Sequence, residues 1–229
     1  MSLSSRGIFS TDIMCFGPSL ISSLPKFPPG DWNDGRVAKN TADGRPFFAS
    51  IKRTKFPGVQ NTWHETYVEY LDLSIGEKLL GGLYEAKHLK LFDDTIVVKF
   101  ARFPWEIQYL ENETTAYQWI SGHEIGPQFL GHVTENGRVI GFLMEHIANA
   151  RHAGPKDLDM CRKVLRRLHD LGIRHGDTNP FNFLIQHNCK ATLIDFDTAE
   201  QCDDQEACLQ EYEALELCLQ DDSGLGGVH

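Results

Sequence analysis

The sequence predicts an α+β fold, and three observations carry that expectation. Between Tyr67 and Phe100 it runs in short β-rich segments, VEYLDLSIG, GGLYEAKHLKLF and TIVVKF, parted by turn residues in the manner of an antiparallel meander. Apolar residues then recur at helical spacing over 106–121, 155–171 and 203–219. With 41% hydrophobic and 24% charged residues in 229, the composition is that of a chain able to bury a sizeable core, which excludes wholesale disorder. That length suits one two-lobed domain or two small ones.

The first 60 residues hold the turn-like run FPPGDWNDG and read as an irregular arm with one strand around FFASIKRT. After Pro104 a helix places Leu110, Glu113, Tyr117 and Ile120 on one stripe and stops at Gly122. GRVIGFLMEHI reads as a buried strand. Residues 155–171 form the clearest helix, with apolar positions 158, 161, 164, 165, 168 and 171, Pro155 in the first turn and Gly172 at the stop. NFLIQHNCKATLIDF gives two strands around a turn at 187–190, and a last helical stripe passes through Ala207, Cys208, Tyr212, Leu215 and Leu219. Asp203, Asp204 and Glu206 sit where carboxylates favour that helix's N-terminal dipole.

A net charge of −10 without a Lys/Arg-rich run argues against nucleic acid as a partner. No stretch approaches the length of a membrane span, and the apolar residues 13–24 are broken by Gly17 and Pro18, so neither a membrane partner nor a secretory signal is expected. Six Cys without a C-x-x-C pair read as reduced packing thiols, which points to a cytoplasmic or nuclear protein. Ten scattered His show no zinc-ligand spacing.

Chemistry concentrates in His175-Gly176-Asp177-Thr178-Asn179-Pro180-Phe181-Asn182, followed by a strand pair and Asp195-Phe196-Asp197. These residues resemble the catalytic loop H-R-D-x-x-x-x-N and the D-F-G segment of the protein-kinase-like superfamily. Phosphoryl transfer needs an Asp to accept or orient a hydroxyl proton, an Asn amide oxygen to hold a metal, and a second Asp to chelate Mg²⁺. The resemblance gives those roles to Asp177, Asn182 and Asp195, with Asp197 as a further metal carboxylate or an exposed turn residue. His175 would brace the loop.

The same resemblance implies an upstream Lys held against the α/β-phosphates by a buried Glu. Lys99 in TIVVKF fits, facing the same way as Thr95 and Val97, and Glu113 fits on its apolar stripe, with Glu111 as the competing residue. Ile75 to Ala86 looks like a degenerate G-x-G-x-x-G-x-V phosphate loop, with Gly76 and Gly81 as outer glycines, Lys78 in place of the middle one and Leu83 roofing the adenine. Read without the family, that segment is a hairpin with a Gly-Gly turn. Met144, Glu145 and Ile147 would supply the hinge that meets the adenine edge, or simply end a strand.

The resemblance covers about residues 70–220 and implies a two-lobed kinase-like fold, with a small antiparallel N-lobe sheet plus one helix and a minimal, mostly helical C-lobe. Its boundaries are an arm at 1–65, an N-lobe at 66–147, a C-lobe at 148–220 and a tail at 221–229. Gly176 replaces the Arg of H-R-D, and Asp197 gives the D-x-D pattern of aminoglycoside and choline kinase relatives. No A-P-E segment follows and the remaining chain is short, as in RIO-like and other compact atypical kinases. The implied activity is ATP- and Mg²⁺-dependent transfer of a γ-phosphoryl group to the hydroxyl of a small molecule or an atypical protein substrate. A pseudokinase that binds without turnover, or kinase-like nucleotidyl transfer, are the alternatives. Trp63, His64, Arg151 and His152 stand outside these motifs.

Overall fold

The structure, a computed structural model, describes residues 2–4, 21, 23–187 and 190–220. Its chain divides into two units, Met1–Phe56 and Pro57–His229. In the first, β1 (Ser2–Ser4) runs parallel to β2 (Asp34–Lys39), which pairs antiparallel with β3 (Pro46–Lys52). The expected strand near FFASIKRT is β3. Its partner β2 escaped notice because DGRVAK offers only Val37 as a strong strand former. Trp32 and Phe48 meet edge to face at 5.3 Å and give this unit its aromatic centre.

The second unit is built on a six-stranded sheet of order β4-β8-β9-β7-β6-β5. Its strands are β4 (Tyr67–Glu69), β5 (Ser74–Leu80), β6 (Leu83–Lys87), β7 (Ile96–Phe100), β8 (Phe129–Glu135) and β9 (Arg138–Glu145). The meander is present as β5–β6–β7, all antiparallel, whereas β4 pairs in parallel with β8. Strand β9 carries six consecutive buried residues after Arg138 and Val139 opens that run, as its apolar sequence requires. Helix α1 (Ile107–Ile120) buries Leu110, Glu113, Tyr117 and Ile120, the stripe read from the sequence. It packs on the sheet through Tyr117, whose ring lies 5.2 Å from Phe142.

Beyond β9 come β10 (Arg151–His152), α2 (Leu158–His169), β11 (Ile173–Arg174), β12 (Phe183–Ile185), β13 (Ala191–Leu193), β14 (Glu200–Gln201) and α3 (Gln205–Gln220). Helix α2 presents Cys161, Val164, Leu165 and Leu168 to the core. Asp157 fixes its start, accepting from Gly154 N at 2.9 Å and from both terminal nitrogens of Arg151 at 2.6 and 2.7 Å. Arg151, unassigned in the sequence, is therefore a brace. β12 and β13 form the expected pair, although two residues of their turn lie outside the described residues. Asp204 caps α3 by accepting from Glu206 N at 2.9 Å.

Two apolar clusters hold this unit together. One joins the inner face of the sheet, α1, α2, β12, β13 and α3, and the other fills the opposite face of the sheet around Val98, Val133 and Leu143. Among the described residues, no helix is long and apolar enough to cross a membrane. The architecture is α+β, with three α-helices and several sheets among the described residues.

Candidate active site

Lys99 sits in β7 between Leu83 of β6 and Phe142 of β9, so its side chain leaves a central strand of the sheet. Its Nζ lies 2.7 Å from Glu113 Oε2 and 2.6 Å from Asp195 Oδ1. Glu113 is 1% exposed on the apolar stripe of α1, a position that a carboxylate tolerates only beside a cation. Burial lifts the Glu113 carboxyl to about 7, with the Lys99 ammonium opposing the rise and the Asp195 charge adding to it. For Lys99 burial favours the neutral amine, but Glu113 and Asp195 outweigh it and hold the ammonium above the usual lysine range. Glu111, two residues away and hence across the helix, instead accepts from the backbone N–H of Gln60 at 2.5 Å and Asn61 at 2.9 Å. Of the two glutamates, Glu113 is the partner of the lysine.

Asp195 follows β13 with φ +63°, a left-handed backbone that L-residues hold only where the surroundings enforce it. The next residue, Phe196, is fully buried, with its ring 5.1 Å from His175 and 5.4 Å from Tyr117. With Phe196 sunk into the core, Asp195 and Asp197 on either side of it both line the cleft. The Asp197 carboxyl is raised above its ordinary range by burial and by the negative Asp195. Asn112 of α1 donates to Asp197 O at 3.4 Å.

The loop between β11 and β12 is organised from inside. His175 is buried, its Nε2 is 3.1 Å from Ile194 O, and its Nδ1 accepts from Asp177 N at 3.3 Å. That arrangement suits a neutral ring, and burial lowers its pKa. Gly176 has φ +85°, and a Cβ there would lie 2.8 Å from Thr198 O. No Arg could occupy this position, which explains the H-G-D form of the motif. Glu211 of α3 accepts from Gly176 N at 2.6 Å, from His175 N at 3.2 Å, and contacts His169 Nε2 at 2.7 Å. Burial raises its pKa, but those bonds together outweigh it and hold Glu211 below its ordinary value.

Asp177 is exposed, and both its carboxylate oxygens accept from Asn179 Nδ2 at 3.0 Å. Asn182 Nδ2 donates to Asp177 O at 2.9 Å and Oδ2 at 3.1 Å. Both amide hydrogens of Asn182 are thereby engaged, so a cation could be met only by its oxygen.

A cavity of about 520 Å³ receives these groups, within the range of small-molecule sites. Leu83, Val97, Met144, Ile147, Leu184 and Ile194 line one part, and Lys99, Glu113, Asn182, Asp195 and Asp197 the other. Glu145 also lines it, but its N–H is given to Gln128 O at 2.9 Å and is not free for a base. Gly81 lines the cavity, whereas Gly76 and Lys78 lie along β5 outside the lining. The reason is register: the β5–β6 turn falls at Gly81-Gly82, where Gly82 has φ +76°, so Leu79 and Leu80 reach the cavity in place of the earlier residues. His146 of the hinge segment and Phe181 of the His175–Asn182 motif complete the lining with Pro127, Ala150 and His152, which belong to no motif in the sequence.

Oxygen ligands suit a hard divalent cation. Glu113 and Asp195 share the ammonium of Lys99, and Asp197, raised by burial and by Asp195, adds a further carboxyl to this end of the cleft. Among the described residues no three His, Cys, Asp or Glu side chains gather closely enough to hold a metal. Asp195, Asp197 and the Asn182 oxygen are the oxygen groups of the cleft that could hold such a cation, with its remaining positions left to a ligand.

The model of the lipopolysaccharide kinase (Kdo/WaaP) family matches residues 145–217, from the end of β9 through most of α3. This span contains Asp177, Asn182, Asp195 and Asp197, and with the motifs it makes the chain protein-kinase-like, of a kind associated with phosphotransferases. A search of curated proteins finds no match.

Proposed function

We propose that the chain is a two-lobed phosphotransferase that moves the γ-phosphoryl group of ATP to a hydroxyl, with residues 66–147 as the N-lobe and 148–220 as the C-lobe. The observation that carries this reading is the meeting of Lys99 Nζ with Glu113 at 2.7 Å and Asp195 at 2.6 Å beside a nucleotide-sized cavity. Leu83, Val97 and Leu184 would enclose the base, with Met144, Glu145 and Ile147 at its edge. Lys99 would neutralise the α/β-phosphates, oriented by Glu113. Mg²⁺, held by Asp195, Asp197 and Asn182 with Asn182 presenting its oxygen, would offset the remaining phosphate charge. Asp177 would orient the acceptor hydroxyl and take its proton as the bond to γ-phosphorus forms and the bond to the β,γ-bridging oxygen breaks. Gly76 and Lys78 would contribute only through the strand that carries the Gly81 turn.

The acceptor is proposed to be a sugar hydroxyl, on the strength of the lipopolysaccharide kinase match across the acceptor-side loop. Asp177 is exposed and bonded to Asn182 of the cavity lining, which leaves it open to such an acceptor. The protein incubated with ATP, MgCl₂ and a panel of mono- and oligosaccharides is expected to release ADP in an acceptor-dependent way. Asp177→Asn should abolish release while nucleotide still raises the melting temperature. Nucleotide binding with no product under any acceptor would instead identify a pseudokinase, and AMP in place of ADP would identify nucleotidyl transfer.

A further inference from the structure

The chain keeps a row of large aromatic side chains in water. Trp105 is 63% exposed, Tyr109 50% and Phe103 47%, and a contiguous exposed row, unlike a single exposed ring, calls for a ligand. Phe103 and Trp105 stack nearly parallel, 5° apart with centroids at 4.5 Å, and Tyr109 stands one turn further along α1. The row is held rigidly. Glu106 Oε2 accepts from the backbone N–H groups of Arg102 at 2.6 Å and Phe103 at 3.0 Å, the Glu106 N–H donates to Phe103 O at 3.0 Å, and Pro104 fixes the backbone between the two rings. Arg102 reaches over the Phe103 ring at 5.9 Å and meets Glu106 Oε1 at 3.1 Å, so these two charges beside the row answer each other.

The row is continuous with the cleft. Arg102 Nη2 lies 3.8 Å from the position a Cβ would take on Gly81, and Gly81 lines the cavity together with the partly exposed Leu79 and Leu80. We propose that Phe103, Trp105 and Tyr109 form a platform for an oligosaccharide, holding the part of the acceptor that lies outside the cleft; the choice of a sugar rests on the proposed sugar acceptor. The C–H faces of pyranose rings are apolar and lie flat on an aromatic ring, while the hydroxyls at their edges stay in water. Rings whose flanking charges cancel suit that pattern better than they suit an anionic lipid surface, which would also repel a chain of net charge −10. Rings already fixed in place lose little freedom when a ligand settles on them.

The test is isothermal titration of the full chain, without nucleotide, with cello-, manno- and chito-oligosaccharides of increasing length. Wild type is expected to bind the longer members of at least one series about five- to tenfold more tightly than its monosaccharide, the gain of an added aromatic contact. Trp105→Ala should bind all lengths alike, with unchanged melting temperature and ATP affinity, and Trp105→Phe, which restores a ring, should recover part of the gain. Because no nucleotide is present, a length-dependent affinity lost in Trp105→Ala supports the platform even where acceptor-dependent ADP release fails, so the two readings are told apart. Affinity that does not grow with length in any series, or growth that survives in Trp105→Ala, overturns the platform. So does sedimentation of wild type, but not of Trp105→Ala, with phosphatidylcholine–phosphatidylglycerol vesicles, which would make the row a membrane contact.

Discussion

Lys99 answers two carboxylates at once, and that sharing determines what its loss would do. Lys99→Met would leave Glu113 buried without a counter-charge, costing about 3 kcal/mol by the general penalty for breaking a buried pair. Adding Glu113→Gln removes the stranded charge, so the double variant should be more stable than Lys99→Met alone when compared by urea unfolding. Both should lose phosphotransfer by at least about a hundredfold, because neither restores the charge opposite the phosphates. Gly176 sets a second residue-scale limit. Ala there must adopt φ +85° and push Thr198 O away from 2.8 Å, at a cost of about 1–2 kcal/mol or more, read as a fall of several degrees in melting temperature.

At the scale of elements, α3 does for the catalytic loop what α1 does for Lys99. Glu211 accepts two successive loop N–H groups, at His175 and Gly176, and so fixes the segment that ends in Asp177. Glu211→Leu would leave both N–H groups and His169 without their acceptor, at about 2–4 kcal/mol. Turnover should fall more than nucleotide affinity, because Lys99 and the apolar walls are untouched; kinetics and calorimetry on one preparation would separate the two effects. Glu211 was not legible in the sequence, since a helical Glu is usually solvated and its partners are two loop N–H groups and the His169 ring, 42 residues earlier in the chain, which no local pattern encodes. Glu113 was legible because a carboxylate on the stripe of Leu110, Tyr117 and Ile120 demands a cation. Asp177, Asn182 and Asp195 were legible through their order and spacing. The Gly-Gly turn of the hairpin was legible, and Gly82 takes it with φ +76°, whereas which β5 residues face the cleft depends on a bulged register that spacing does not give. Strand β8 was missed as well: FLGHVTE interleaves Gly131 and His132 with its apolar residues, and its burial comes from neighbours that lie elsewhere in the chain.

For the whole molecule, buried histidines set the response to acid. His132, fully buried in β8, accepts from His64 N at 3.2 Å through Nε2, and its Nδ1 has no partner among the described residues. Burial and, secondarily, His64 lower its pKa from 6.5 to about 4. The unfolded chain therefore binds a proton there that the folded chain refuses between pH 6.5 and 4, so stability is complete above 6.5 and declines as pH falls through that window. At pH 5 this amounts to about 2 kcal/mol, or several degrees of melting temperature. Burial lowers His175 too, and it acts in the same sense. Glu113, raised from 4.5 to about 7, acts oppositely, because the folded state there holds the extra proton and loses stability as pH rises between those values. The histidine contribution can still be isolated by substitution: His132→Phe should lose its His64 bond at every pH yet show a shallower fall in melting temperature from pH 7.5 to 5 than wild type. Parallel profiles for the two proteins would mean that His132 is protonated in the folded state, and that the acid response arises elsewhere.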